Sequence, residues 1–358
     1  MRVSAFDTRV LSGLPQALKL RLAIAGFAGS AENSTSYAAA DLPTADKFSG
    51  ILTAPNGVQI FIPYSYNKVG RFDPATGIFS DGAAIPTGSA RYRGGCYHPQ
   101  TGLMIFAPIL ATTIGLYDPV TDIFTTGANV GASPGYHGAI VSSRTGKVIL
   151  IPGTKTTIDT YDPVTNVVTT GPAHGGSITS YFSSAEELPD GRILLVTYSA
   201  GKFVIYDPVT NTVVDGPINS GTARFYGSVK LPSGDVVCVP YSSDFLTIYR
   251  WRTNDLFRIA IPADGAKYRG GALAPDGRVI FAPNNYDKVG WYDPATNKYG
   301  EGPALNLGVA GKYSGACAAV NGTVTFAPYA HTKIGRFKAV SVGSLPLIPL
   351  QSIHYNKG

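Results

Sequence analysis

The chain has 358 residues, 44% of them hydrophobic and 15% charged, enough apolar material to bury a large core. Its net charge of +6 comes from 29 Lys and Arg against 23 Asp and Glu, without the dense basic blocks of a dedicated nucleic-acid binder. With 42 Gly, 26 Pro, 21 Tyr and 16 Phe, the composition favours turns and half-buried pleated surfaces, which points to an all-β fold.

Residues 1–32 come first. Their apolar stretch follows Asp7 and is interrupted by Lys19 and Arg21, so it reads poorly as a secretory signal. No run reaches the roughly 20 apolar residues of a membrane span, and the expectation is a soluble product. Leu14-Pro15 followed by QALKLRLAIAGF predicts a short helix with proline in its first turn, ending in a Gly/Ser/Asn-rich connector. The next segment, Tyr37 to Phe48, resembles Phe79 to Tyr92 down to a shared Pro-Thr. This predicts that residues about 33 to 40 form the outer strand of the last repeat, whose other strands lie in 313–338.

Repeats fill residues 33–339. An aromatic followed by Asp-Pro stands at Phe72, Tyr117, Tyr161, Tyr206 and Tyr292, and Tyr249 and Phe337 keep the same place without Asp-Pro; the spacings run from 43 to 45 residues. A second marker runs in step at Phe48, Tyr92, Tyr136, Tyr181, Phe225, Tyr268 and Tyr313. Gly lies two residues on in each case except Tyr181, where Ser183 stands. Each member precedes its partner in the first series by 24 or 25 residues.

Within one unit, from Tyr268, the runs YRGGALA, RVIFAP, VGWYD and KYGEG are separated by turn formers. Each run is too short for a helix, so the unit is four strands. Asp-Pro-x-Thr followed by Asn or Gly suits a tight turn, because Asp bonds the backbone two residues on, Pro presets φ and Asn or Gly accepts the left-handed position; the repeated carboxyl reads as a turn former before a catalytic acid. Seven four-stranded units predict a seven-bladed β-propeller closed by an N-terminal strand. The glycines after the first aromatic let the innermost strands crowd around the axis. The repeats resemble the Kelch, WD-repeat and YVTN-type propellers over about residues 33 to 338, though without the Gly-His and Trp-Asp pairs of WD repeats. The resemblance implies the architecture and carries over no site.

Little in the chain points to catalysis. His98, His137, His174, His331 and His354 lack metal-ligand spacing, Cys96, Cys238 and Cys317 stand singly in apolar stretches, and no GxSxG, phosphate loop, HExxH or sialidase box occurs. The expectation is a non-enzymatic protein with no metal or cofactor. Basic residues, in contrast, recur. Lys47, Arg91, Arg224, Lys267 and Lys312 each precede the first aromatic, and Lys68, Lys202, Lys288 and Lys333 lie four residues before the second. Both series should rim one end of the channel, with Tyr64, Tyr66, Tyr198, Tyr241, Tyr286 and Tyr329 among them. Cations among tyrosines suit sugars that stack and carry acid groups, such as an anionic host polysaccharide or lipopolysaccharide. The same cations also follow from protection of strand edges or from duplication of the unit.

Residues 340–358, VGSLPLIPLQSIHYNKG at their end, are apolar and twice interrupted by Pro. The run Ser352-Ile353-His354-Tyr355-Asn356-Lys357 resembles the C-termini of tail-associated proteins of tailed bacteriophages. That likeness implies a virion structural protein, made in the host cytoplasm and carried on a tail, fibre or head in many copies. Residues 1–32 and 340–358 would dock to other virion proteins while the propeller met the host surface. Two alternatives are a cellular interaction scaffold and a propeller enzyme of lactonase or glycosidase type, for which Asp244, Asp264 and Asp287 are the carboxylates nearest the channel mouth.

Overall fold

Short runs of β-prone residues bounded by turn formers cannot extend into helices, and each repeat folds into four antiparallel strands of three to seven residues. The computed structural model describes residues 34–37, 42, 46–86, 91–132, 134–176, 181–219, 224–319 and 321–338. Blades 1 to 6 comprise residues 48–84, 92–129, 136–169, 182–218, 224–260 and 268–304. Blade 7 takes three strands from 313–338 and its outer strand from Ser34–Tyr37. The innermost strand of each blade touches those of both neighbours, blade 7 returning to blade 1, so the seven sheets form a closed ring. The predicted all-β, seven-bladed propeller is the observed fold.

Closure uses the predicted segment. Ser34, Thr35, Ser36 and Tyr37 pair with Lys338, Phe337, Arg336 and Gly335 in antiparallel order. The helix predicted after Leu14 and the tail 340–358 lie outside the described residues, which contain no helix.

Apolar side chains alternate along each strand onto its two faces, and the faces of adjacent blades pack together. Seven clusters result, one at each interface between blades. The repeated aromatics sit in these clusters almost without exposure: Phe48, Tyr92, Tyr136, Phe182, Phe225, Tyr268 and Tyr313 from the innermost strands, and Phe72, Tyr117, Tyr161, Tyr206, Tyr249, Tyr292 and Phe337 from the third. Full burial of one such ring contributes about 1.5–3 kcal/mol, so the two series hold the ring together.

Blade 4 departs from the predicted marker. The residue paired with Thr197, where the other blades pair their aromatic with Pro63, Pro108, Pro152, Pro240, Pro283 or Pro328, is Phe182, and Ser184 takes the glycine place. The expected pair, Tyr181 and Ser183, is one residue early. Tyr181 instead holds the position of Lys47, Arg91, Arg224, Lys267 and Lys312.

The Asp-Pro turns form as expected. Asp73, Asp118, Asp162, Asp207 and Asp293 each accept from the backbone N–H two residues on. Each turn ends on a residue in the left-handed region, namely Gly77, Asp122, Asn166, Asn211 and Asn297, with Asn254 in blade 5. Where the third-strand aromatic is tyrosine, its hydroxyl donates to the side chain of that residue five positions later, from Tyr117 to Asp122, Tyr161 to Asn166, Tyr206 to Asn211, Tyr249 to Asn254 and Tyr292 to Asn297. In blade 1 the aromatic is Phe72, which has no hydroxyl, and Gly77 takes the turn.

Candidate functional site at the channel mouth

The residue between each innermost aromatic and the following Gly or Ser is polar in all seven blades: Ser49, Arg93, His137, Ser183, Tyr226, Arg269 and Ser314. Their contacts show where they point. The Arg93 guanidinium of blade 2 lies 5.4 Å from the ring of Tyr226 in blade 5, a contact that crosses the axis. Arg93 also meets His137 Nε2 at 2.9 Å, and His137 Nδ1 lies 3.2 Å from the Phe182 carbonyl. Arg269 donates to the Tyr226 hydroxyl at 2.8 Å and stacks over the rings of Tyr226 and Tyr329 at 4.4 and 4.5 Å. The serines close the ring, Ser314 donating to the Ser49 carbonyl and Ser49 to the Tyr92 carbonyl.

Close approach of the strands makes this convergence possible. A Cβ on Gly270 would stand 2.5 Å from the Gly315 Cα, and both residues have positive φ (91° and 119°); only glycine is tolerated there.

Around this floor stand tyrosines from the loops joining second and third strands. These loops open at the same end as the entries to the innermost strands, since Tyr64 N–H bonds the Lys47 carbonyl and Tyr198 N–H the Tyr181 carbonyl. Tyr181 stacks on Tyr198 at 4.7 Å and meets His137 edge-on at 5.0 Å. Tyr198, Tyr226 and Tyr241 touch one another, as do Tyr64 and Tyr329.

The electrostatics of this cluster are unusual. Burial, then Arg93, push the His137 imidazole down to about 3, so it is neutral at ordinary pH. Burial raises the Tyr226 phenol, but Arg269 and Arg93 more than reverse that and leave it below the ordinary tyrosine value. The remaining described histidines serve structure: His98 bonds Thr101 and the Gly146 carbonyl, His174 the Lys155 carbonyl, and His331 packs on Tyr313. Among the described residues no group of three His, Cys, Asp or Glu side chains could hold a metal ion.

The residues expected from the sequence to bind ligand divide into three groups. Lys47, Lys267 and Lys312 are buried. Lys267 donates to the Ser243 and Asp264 carbonyls and Lys312 to the Asn285 carbonyl, and burial lowers all three ammonium groups, Lys47 to about 8. They clip loops together and turn away from solvent. Lys68, Lys202 and Lys288 pair with Asp81, Asp215 and Glu301 on the outer strand of their own blade, and Tyr66 and Tyr286 donate to the same Asp81 and Glu301. They sit outside the mouth. Arg91 is half-buried, Lys333 exposed, and Arg224 stacks over Tyr198 at 5.3 Å on the rim. Four of the six loop tyrosines, Tyr64, Tyr198, Tyr241 and Tyr329, do face the mouth. Of the candidate carboxylates, Asp244 and Asp264 share a shallow cleft with Arg224 beside the rim, while Asp287 takes the Asn306 N–H and lies 3.9 Å from Lys312.

A second cleft, lined by Leu231, Asp235, Arg250 and Tyr292, lies at the opposite end among the Asp-Pro turns. It brings together no cluster comparable to that of Arg93, His137, Tyr226 and Arg269.

No family model and no curated protein matches the chain. Solved structures do. A streptogramin B lyase superposes with a TM-score of 0.74 at 16% identity over 85% of this chain and 97% of its own. The chain shares the fold of the streptogramin B lyases. Virginiamycin B lyase from Staphylococcus aureus gives 0.74 at 14% identity over 86% of this chain and all of its own. A catalytically inactive histidine-to-alanine variant of it with quinupristin gives 0.74 at 15% over the same shares. At such identities the likeness is one of fold.

These neighbours correct the expectation of a non-enzymatic phage virion protein. They are enzymes built on the same fold, and the alternative of a propeller enzyme fits them better. That expectation rests on the six-residue likeness at 352–357, the apolar tails and the absence of local catalytic motifs, whereas a propeller assembles its mouth from one residue per blade, about 44 positions apart. The signal available was the residue inside the second marker, polar in six of the seven units as the sequence displays it and varying among Ser, Arg, His and Tyr.

Proposed function

We propose that the chain is a propeller enzyme whose active site is this mouth and whose chemistry is an elimination, the reaction class named in the lyases that share its fold. The observation that carries this reading is the Tyr226 hydroxyl, 2.8 Å from the Arg269 guanidinium and flanked by Arg93, which holds its proton more loosely than an ordinary tyrosine does. Elimination beside a carbonyl needs a base for the C–H proton and positive charge where the oxygen becomes negative. Tyr226 as phenolate takes the C–H proton while the two arginines meet the oxygen, the C=C bond forms as the bond from the neighbouring carbon to the leaving oxygen breaks, and the Tyr226 hydroxyl then returns its proton to that leaving oxygen. His137, neutral, accepts from Arg93 through Nε2 and donates from Nδ1 to the Phe182 carbonyl, and so orients the Arg93 guanidinium. The surrounding tyrosines give stacking faces to a substrate that carries rings.

The test uses the full chain with quinupristin and, separately, uronic-acid polymers, following the new double bond by ultraviolet absorbance and mass spectrometry. Turnover of either is expected, with Tyr226→Phe lowering kcat by about 10²-fold or more and KM changing little. Absence of product from both, together with an ordinary phenol titration in the absorbance difference between wild type and Tyr226→Phe, overturns the reading.

A further inference from the structure

The mouth holds more positive charge than its neighbours neutralise. Arg269 is only 8% exposed, yet among the described residues no Asp or Glu comes within 4.0 Å of it or of Arg93. The contrast is Arg278, buried to the same degree at 9% and paired with Asp276 at 2.8 Å. Arg144 and Arg192 likewise rest on carboxylates. A buried cation without a counter-charge is strongly unfavourable. Here the compensation consists of aromatic faces and phenols, Tyr226 and Tyr329 for Arg269 and Tyr226 for Arg93, and the buried Nε of each arginine has no hydrogen-bond partner. Both guanidinium groups lie against a single ring, at 5.4 and 4.4 Å from its centre, and both bear on His137, which gathers them at one spot on the floor.

We propose that Arg93 and Arg269 form a binding site for one oxyanion of the ligand, a carboxylate or a phosphate ester, at the floor of the channel mouth. The inference rests on the reading of this mouth as the ligand site and names the chemical class it takes. Arginine suits the task because its planar fork matches two oxygens at once. Arg93, His137 and Tyr226 each keep part of their surface open to solvent, which leaves the anion a way in. Five of the lysines expected to attract an anion do not compete, since Lys267 and Lys312 are spent on backbone carbonyls and Lys68, Lys202 and Lys288 on their own carboxylates.

The experiment titrates the full chain with inorganic phosphate and with sodium glucuronate at ionic strength matched by sodium chloride. The readout is the His137 imidazole NMR signal, assigned by its loss in His137→Gln. A saturable shift is expected with at least one probe and none with chloride. Arg93→Gln and Arg269→Gln, checked for fold by circular dichroism, should each weaken binding at least tenfold. Should Arg269→Gln fail to fold, Arg93→Gln carries the test. Saturation by glucuronate alone assigns a carboxylate, by phosphate alone a phosphate ester, and by both a general oxyanion site. A shift that never saturates, or an affinity that survives Arg93→Gln, overturns the proposal. Turnover and anion binding, both measured on the wild type, separate the two readings: anion binding without any turnover sinks the enzymatic reading only, and turnover without anion binding sinks only this one.

Discussion

Glu186 is the residue whose setting most departs from that of its counterparts. By strand register it occupies the place held by Leu52, Cys96, Ile140, Val229, Ala272 and Cys317 in the other blades, all apolar and packed between blades. Burial pushes its carboxyl up to about 7, against the smaller opposing effects of the Ser228 hydroxyl, which donates to it at 3.0 Å, and of Lys230. The folded chain therefore binds a proton between about pH 4.5 and 7 that the unfolded chain has released. Stability should be greatest below the unfolded value, fall as pH rises through that window, and level off above it, by roughly 3 kcal/mol in all. Glu186→Gln should remove the slope and raise the urea midpoint at pH 8 while changing it little at pH 4. An unchanged slope in the variant would show that the carboxyl is solvated in the fold.

At the scale of the element, the Asp-Pro turn links two repeated features that the sequence displays separately. The residue in the left-handed region accepts the tyrosine hydroxyl from the strand before it, so it supplies both a backbone geometry and a hydrogen bond. Asn211→Ala removes both, and Asn211→Gly only the bond. Alanine should cost about 1–2 kcal/mol and glycine about 1 kcal/mol or less in denaturant unfolding. Equal losses would mean that the backbone geometry carries no strain. These turns and the two aromatic series were legible in the sequence because each imposes one residue type at a fixed spacing. Blade 4 was misread by one position because Tyr181 and Phe182 are adjacent aromatics and either fits the spacing; only the pairing with Thr197 separates them. The mouth was legible only in outline. Tyr64, Tyr198, Tyr241 and Tyr329 share a type and a loop and are legible, but Tyr66 and Tyr286 share both and lie outside the mouth, and Arg93, His137, Tyr226 and Arg269 occupy one position with three different chemistries. A search for recurrence passes over them.

For the whole molecule, the ring depends on four residues from the far end of the chain. Without residues 1–37, Gly335–Lys338 becomes an edge strand with open backbone groups, a template for pairing between molecules. That truncation should lower the melting temperature and produce oligomers in size-exclusion chromatography. A monomer of unchanged melting temperature would show that closure contributes little. The ring also explains why function was harder to read than architecture. Seven similar blades satisfy packing with the same residues, whereas a mouth needs unlike residues, so the site lies where the repeats disagree.

The join between Ser34–Tyr37 and Gly335–Lys338 also orders events during synthesis. The first of these segments leaves the ribosome about 300 residues before its partner, and so waits unpaired while six blades are made. Completion of the ring therefore waits until Gly335–Lys338 has been made. A rearranged gene that runs from residue 313 to 338 and then, through a linker, into residues 34–312 would make all four strands of that sheet together, and should shorten the interval in which the nascent protein needs a chaperone.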